Sequence, residues 1–67
     1  MNTTIAKFTR LDHFMFNVRA LGMEGTKAEW DETTALIRMC LRLGIPPKDE
    51  TERILFEITE TIWGDLL

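Results

Sequence analysis

The stretch DETERILFEITETIWGDLL, Asp49 to Leu67, holds more apolar surface than one helical face carries. At about 100° per residue, Ile54, Leu55, Ile58, Ile62 and Leu66 form one stripe, while Phe56, Trp63 and Leu67 lie on a different side of the same helix. Two apolar faces require two partners. The remainder of a short chain covers one of them, and the other is expected to meet a second copy or another protein.

Working back from that segment, two breaks divide the chain. Gly44-Ile45-Pro46-Pro47 places a glycine just past the last periodic residue and follows it with prolines that cannot continue a helix. Asp49 with Glu52 offers a cap for the helix that follows. The acidic run Asp49, Glu50, Glu52 suits the positive end of its dipole. Gly22-Met23-Glu24-Gly25 is the second break, followed by Thr26 with Glu29 three residues on, the clearest capping box in the chain. No segment alternates apolar and polar residues across a hairpin turn, and no internal repeat is present. The expected architecture is therefore all-α: one small three-helix domain with short loops, helices near 5–21, 27–43 and 48–64, assembled as a homodimer.

Within the first segment, with Thr4 or Thr9 as cap, Phe8, Leu11, Phe14, Met15, Val18 and Leu21 project to one core face. Phe16 does not. It falls beside Asp12, Arg19 and Ala20 on the polar side, as a scattered surface aromatic or as part of a binding surface. In the second segment Trp30, Ile37, Cys40 and Leu41 share a face that Leu36 and Leu43 extend sideways. Lys27, Asp31, Arg38 and Arg42 share the opposite, wet side. Lys27 and Asp31 are one turn apart and suited to pairing, whereas Arg38 and Arg42 repel unless an acid such as Glu57 or Glu60 lies between them. Leu11, Val18, Trp30, Ile37, Ile54 and Ile58 are the expected core.

Sixty-seven residues make at most one domain, and a chain of that size buries only about 60% of its unfolded surface. Hydrophobic residues at 45% and charged residues at 28% are ordinary globular values. Eleven acidic against eight basic side chains leave a net charge of -3, which disfavours generic affinity for nucleic-acid phosphates or anionic lipid. The lone Cys40 cannot form an internal disulfide, and a reducing compartment fits it. With no signal-peptide core and no apolar run of membrane-span length, the expected location is the cytoplasm.

Catalytic chemistry finds no constellation. His13 and Cys40 are the only histidine and cysteine, and they fall on unlike faces of different helices. Glu50, Glu57, Glu60 and Asp65 have some helical spacing but read as a solvated acidic face, and no set of ligands suggests a metal site. The glycine pair at Gly22 and Gly25 lacks the lysine and spacing of a phosphate cradle. No enzyme activity, cofactor or metal is expected. A helix-turn-helix reading starts from Leu41-Arg42-Leu43-Gly44-Ile45-Pro46, but the next helix opens Lys48-Asp49-Glu50-Thr51-Glu52-Arg53, which would set three carboxylates against a polyanion.

These observations point to a protein that acts by contact: an inhibitor or adaptor, of the accessory kind carried by phages or plasmids, docking on a larger protein. A structural homodimer and a small DNA-binding regulator are the alternatives. The expected interface is Phe56, Thr59, Trp63 and Leu67 on the last helix, with Arg53 and Glu60 at its rim and Phe16 as a further contact.

Overall fold

Thr9, Thr26 and Asp49 each start a helix for the same physical reason: a side-chain oxygen accepts a backbone N–H that the first turn leaves without a partner. The computed structural model describes residues 9–67. In it, α1 spans Arg10–Ala20, α2 spans Lys27–Leu43, α3 spans Glu50–Trp63, and a 3-10 turn follows at Gly64–Leu66. No strand occurs among the described residues.

Capping boxes form at the starts of α1 and α2. Thr9 pairs reciprocally with Asp12, and Thr26 with Glu29. Thr9 is extended, so α1 begins at Arg10 rather than at residue 5; Thr4 and Phe8 lie outside the described residues. At the third helix Asp49 accepts from the Glu52 N–H, while the Glu52 carboxylate reaches past the cap to the Lys48 N–H at 2.8 Å. The C-termini follow the glycines. Gly44 sits at φ 76°, and the Gly44 and Ile45 N–H groups return to the Leu41 and Cys40 carbonyls, the crossed pair of bonds that closes a helix through a left-handed residue. Gly22 closes α1 in the same way, with Met23 donating to the Val18 carbonyl at 3.0 Å.

Every helix contacts the other two, so the bundle is triangular. Its centre is aromatic. Phe14 of α1 is fully buried and lies 5.8 Å from the ring of Trp30 on α2 and 5.8 Å from the ring of Trp63 on α3, edge-on to the first and tilted to the second. Met15, Val18, Ile37, Leu55 and Phe56 complete the buried shell, and Leu11, Cys40, Leu41, Ile58 and Ile62 pack partly buried around it. Arg10 holds the C-terminal turn against α1 through a two-pronged contact with Asp65, at 2.6 and 2.9 Å, and a bond to the Ile62 carbonyl.

Several sequence expectations are corrected by this packing. Phe56, Thr59 and Trp63 do not form a second, outward face of α3. They are buried within the single chain, Thr59 completely. A helix seated against two neighbours in a triangle buries a wider arc than a helix with one neighbour. Here that arc runs from Ile58 and Ile62 through Leu55 and Thr59 to Trp63 and Phe56. The two stripes are thus halves of one inward surface. Ile54, Ile58 and Leu11, expected in the core, sit half-buried on its margin. Leu21, Leu36 and Leu43, read as core or its lateral extension, are exposed, as is Leu66 in the 3-10 turn.

Two charge assignments also change. Lys27 bridges to Asp12 of α1 at 3.2 Å instead of to Asp31, because the α1–α2 loop returns the start of α2 beside the first turn of α1. Arg38 does not stand on a wet edge. It is half-buried, with its guanidinium 5.5 Å from the centre of the Trp63 ring. Glu57 pairs with Arg53 on its own helix rather than with the arginines of α2.

Candidate interaction surface

Ile37 and Trp30 point α2 into the core, and the angle between successive residues then decides what points away from it. At about 100° per residue, Leu36, Met39 and Leu43 fall together on the opposite side of α2. They are 62%, 55% and 65% exposed, so all three retain most of their surface in water. Ile45, just past the helix, is half-exposed beside them. Cys40 lies between this stripe and the core. With Leu36, Ile45, Pro46 and Phe56 it lines a groove of about 420 Å³ between α2 and the start of α3.

Charge is unevenly distributed along the same face. Glu32 precedes the stripe by one turn, and Arg42 and Lys48 accompany its C-terminal end. All three are exposed, and none has an ion-pair partner among the described residues. The surface therefore reads acidic, apolar, basic from the N- to the C-terminal end of α2. Glu29, also at the acidic end, is occupied locally: its carboxylate accepts from the Thr26 N–H at 2.8 Å, and that bond holds its pKa below the ordinary glutamate value.

A second surface surrounds Phe16. Its ring is 69% exposed and, with Asp12, Met15, Arg19, Ala20 and Lys27, it lines an open cleft of about 680 Å³. The charges here are largely satisfied. Asp12 accepts from the Thr9 backbone and hydroxyl and from Lys27, and these bonds pull its pKa down to about 2. The cleft sets one exposed aromatic side chain beside the Asp12–Lys27 pair and Arg19.

Of the residues expected at an interface, the structure leaves Phe16 on the surface and Leu67 38% exposed, and it places Phe56, Thr59 and Trp63 inside. The stripe that the sequence reading missed carried a legible signal. Leu36, Met39 and Leu43 follow a three- and four-residue spacing, displaced around α2 from the Trp30–Ile37 face. Assigning Leu36 and Leu43 to a broadened core face concealed it.

The one histidine and the one cysteine stay on separate helices. His13 is exposed on α1 and Cys40 is half-buried on α2. Among the described residues no three His, Cys, Asp or Glu side chains converge as metal ligands, and no helix is long and apolar enough to cross a membrane. No family model, curated protein or solved structure matches the chain.

Proposed function

We propose that this chain is a small protein–protein contact module, of inhibitor or adaptor type, that works by burying the outer face of α2 against a protein. The observation that carries the reading is the contiguous exposed row Leu36, Met39 and Leu43 on a helix whose other side is already packed. Scattered surface apolar residues are ordinary; a row one helical turn apart on the outside of a capped helix is the form in which helices present anchors to a groove or to another helix. Burying a Leu or Met side chain in full is worth about 1.5–3 kcal/mol, so moving these three from their present exposure into an interface contributes about 3–5 kcal/mol. Association costs of about 4 kcal/mol or more consume that gain unless the partner brings a comparable apolar surface of its own. The expected complexes are accordingly specific and of moderate affinity.

The acidic start of α3, with Asp49, Glu50 and Glu52 exposed or half-exposed, supports protein over nucleic acid as the partner. A reducing, cytoplasmic setting belongs to the same reading through the single thiol of Cys40. The test is a comparison of wild type with Leu36→Ser/Leu43→Ser, immobilised at equal density. A partner retained by wild type is then purified and titrated calorimetrically against both. Loss of binding in the double variant, with its helical circular dichroism unchanged, supports the reading. Full binding by the double variant would refute it.

A further inference from the structure

We propose that the protein docked on the outer face of α2 is a second copy of this chain, laid antiparallel against it. This rests on the reading of that face as the contact surface and adds what occupies it.

The argument begins with spacing. Glu32, Leu36, Met39 and Leu43 are separated by four, three and four residues, the alternation that keeps one seam of a helix facing a neighbouring helix along its length. Gly44 ends α2 directly after Leu43, so the seam uses the helix to its end. Two such seams can pair parallel or antiparallel, and charge separates the two arrangements. In a parallel pair Glu32 meets Glu32 across the seam, a like-charge contact, and the two Arg42 side chains, about 90° off the seam, fall on opposite flanks where neither reaches a Glu32. In an antiparallel pair with its twofold axis midway between Leu36 and Met39, Leu36 lies level with Met39 of the other copy and Glu32 with Leu43. Arg42 of the other copy is then one residue, about 1.5 Å along the axis, from the level of Glu32.

Each Glu32 thus meets an Arg42, twice by symmetry, with Lys48 beyond the helix end adding to the basic side. None of these charges has an ion-pair partner within the chain among the described residues, which leaves them available to a second copy, as are Arg19, Glu24, Asp31 and Glu60 elsewhere on the surface. The helix dipoles are also opposed only in the antiparallel arrangement. The face is acidic, apolar and basic in sequence, and a helix complementary to it must be basic, apolar and acidic. Read backwards, α2 is that helix. Its flank supports close approach, because Ala28 and Ala35 are the residues beside the seam on the Arg42 side.

Sedimentation equilibrium at low salt, up to about 1 mM protein, tests the pairing. Wild type is expected to be a reversible dimer, and Leu36→Ser/Leu43→Ser a folded monomer. Glu32→Lys and Arg42→Glu are each expected to raise the dimer Kd by at least about tenfold, since each turns two attractive contacts into two repulsive ones. Mixing those two variants one to one should restore dimers to within about threefold of wild type. In the mixed pair the introduced lysine of one copy meets the introduced glutamate of the other, and the unchanged Arg42 of the first meets the unchanged Glu32 of the second, so both contacts attract. The whole pattern is specific to antiparallel pairing: in a parallel pair each single variant would keep like charges opposed at residue 32, as wild type does, and lose little, while the mixture would bind more tightly than wild type. A monomeric wild type, or charge variants that do not rescue one another, overturns the proposal. If wild type is monomeric yet a heterologous complex is lost in Leu36→Ser/Leu43→Ser, self-docking fails while the contact surface stands. If neither self-association nor any complex responds to Leu36 and Leu43, both fail.

Discussion

Replacing Trp63 with Ala should remove half or more of the stability of the fold rather than release a monomer of undiminished stability. Trp63 is 7% exposed, its ring is 5.8 Å from that of Phe14, and the Arg38 guanidinium stacks 5.5 Å from its centre. Truncating a buried Trp costs about 3–5 kcal/mol. This site belongs in the upper half of that range, because an aromatic pair contributes about 0.5–1.5 kcal/mol and a stacked cation about 0.5–1 kcal/mol within the loss. A 67-residue domain has a total stability of about 3–10 kcal/mol. The loss therefore removes half or more of the margin in most of that range. Urea denaturation followed by circular dichroism at 222 nm measures it, with Trp63→Phe as the control that keeps a ring against Phe14 and loses about 1–2 kcal/mol. The contrast with the outer face is the informative part: Leu36→Ser/Leu43→Ser should move the midpoint little, since both side chains are already in water. A Trp63→Ala variant that keeps the wild-type midpoint and loses only its binding would refute the packing described, and would return Trp63 to an external interface.

Three further outcomes follow from local geometry. Gly25→Ala should destabilise by about 1–3 kcal/mol in the same denaturation assay, because a Cβ at Gly25 would stand 2.6 Å from the indole nitrogen of the buried Trp30. Thr59→Val should stabilise by about 1 kcal/mol, since the Thr59 hydroxyl is wholly buried without a hydrogen-bond partner among the described residues and Val keeps its shape. Asp12 has its pKa depressed to about 2 by the Thr9 and Lys27 bonds, so it binds a proton more readily unfolded than folded. Its contribution is complete above about pH 4, the ordinary carboxylate range, and is lost as pH falls from there through about 2. Glu29, Glu50 and Asp65 shift in the same direction. Urea midpoints should therefore fall between pH 5 and pH 2, and less steeply in Asp12→Asn.

Local signals were legible where one residue type has one physical use. Thr26 with Glu29 and Gly44 before two prolines each specify a helix end through a hydrogen bond or a left-handed residue, and both ends form where the spacing places them. What the sequence left open was how far around each helix the core reaches. A hydrophobic period gives the direction of an apolar arc, and its width depends on how many neighbours the helix touches. For α3 the answer is two, so Phe56, Thr59 and Trp63 went inside. For α2 the same uncertainty acted in reverse, and Leu36 and Leu43, credited to a wide core face, stayed outside. Lys27 shows the remaining gap: Asp31 is near it in sequence, whereas Asp12, which it meets, is near only once the loop has folded back.

The exposed row on α2 also resists explanation by folding alone. Leu and Met are good helix formers, but Lys, Glu, Gln and Arg serve a surface helix about equally well and keep it soluble. Positions 36, 39 and 43 make no demand for apolar side chains on behalf of the bundle, because the core side of α2 is already filled by Trp30, Thr34 and Ile37. Phe16 stands alone among charged neighbours and needs no such account. A row of three does, because apolar side chains one turn apart outside the core lower solubility and return nothing to the stability of the monomer. Their chemistry becomes favourable only when water is removed from them. The surrounding charges, acidic before the row and basic after it, specify the direction in which a helix must lie to remove that water without setting like charges together.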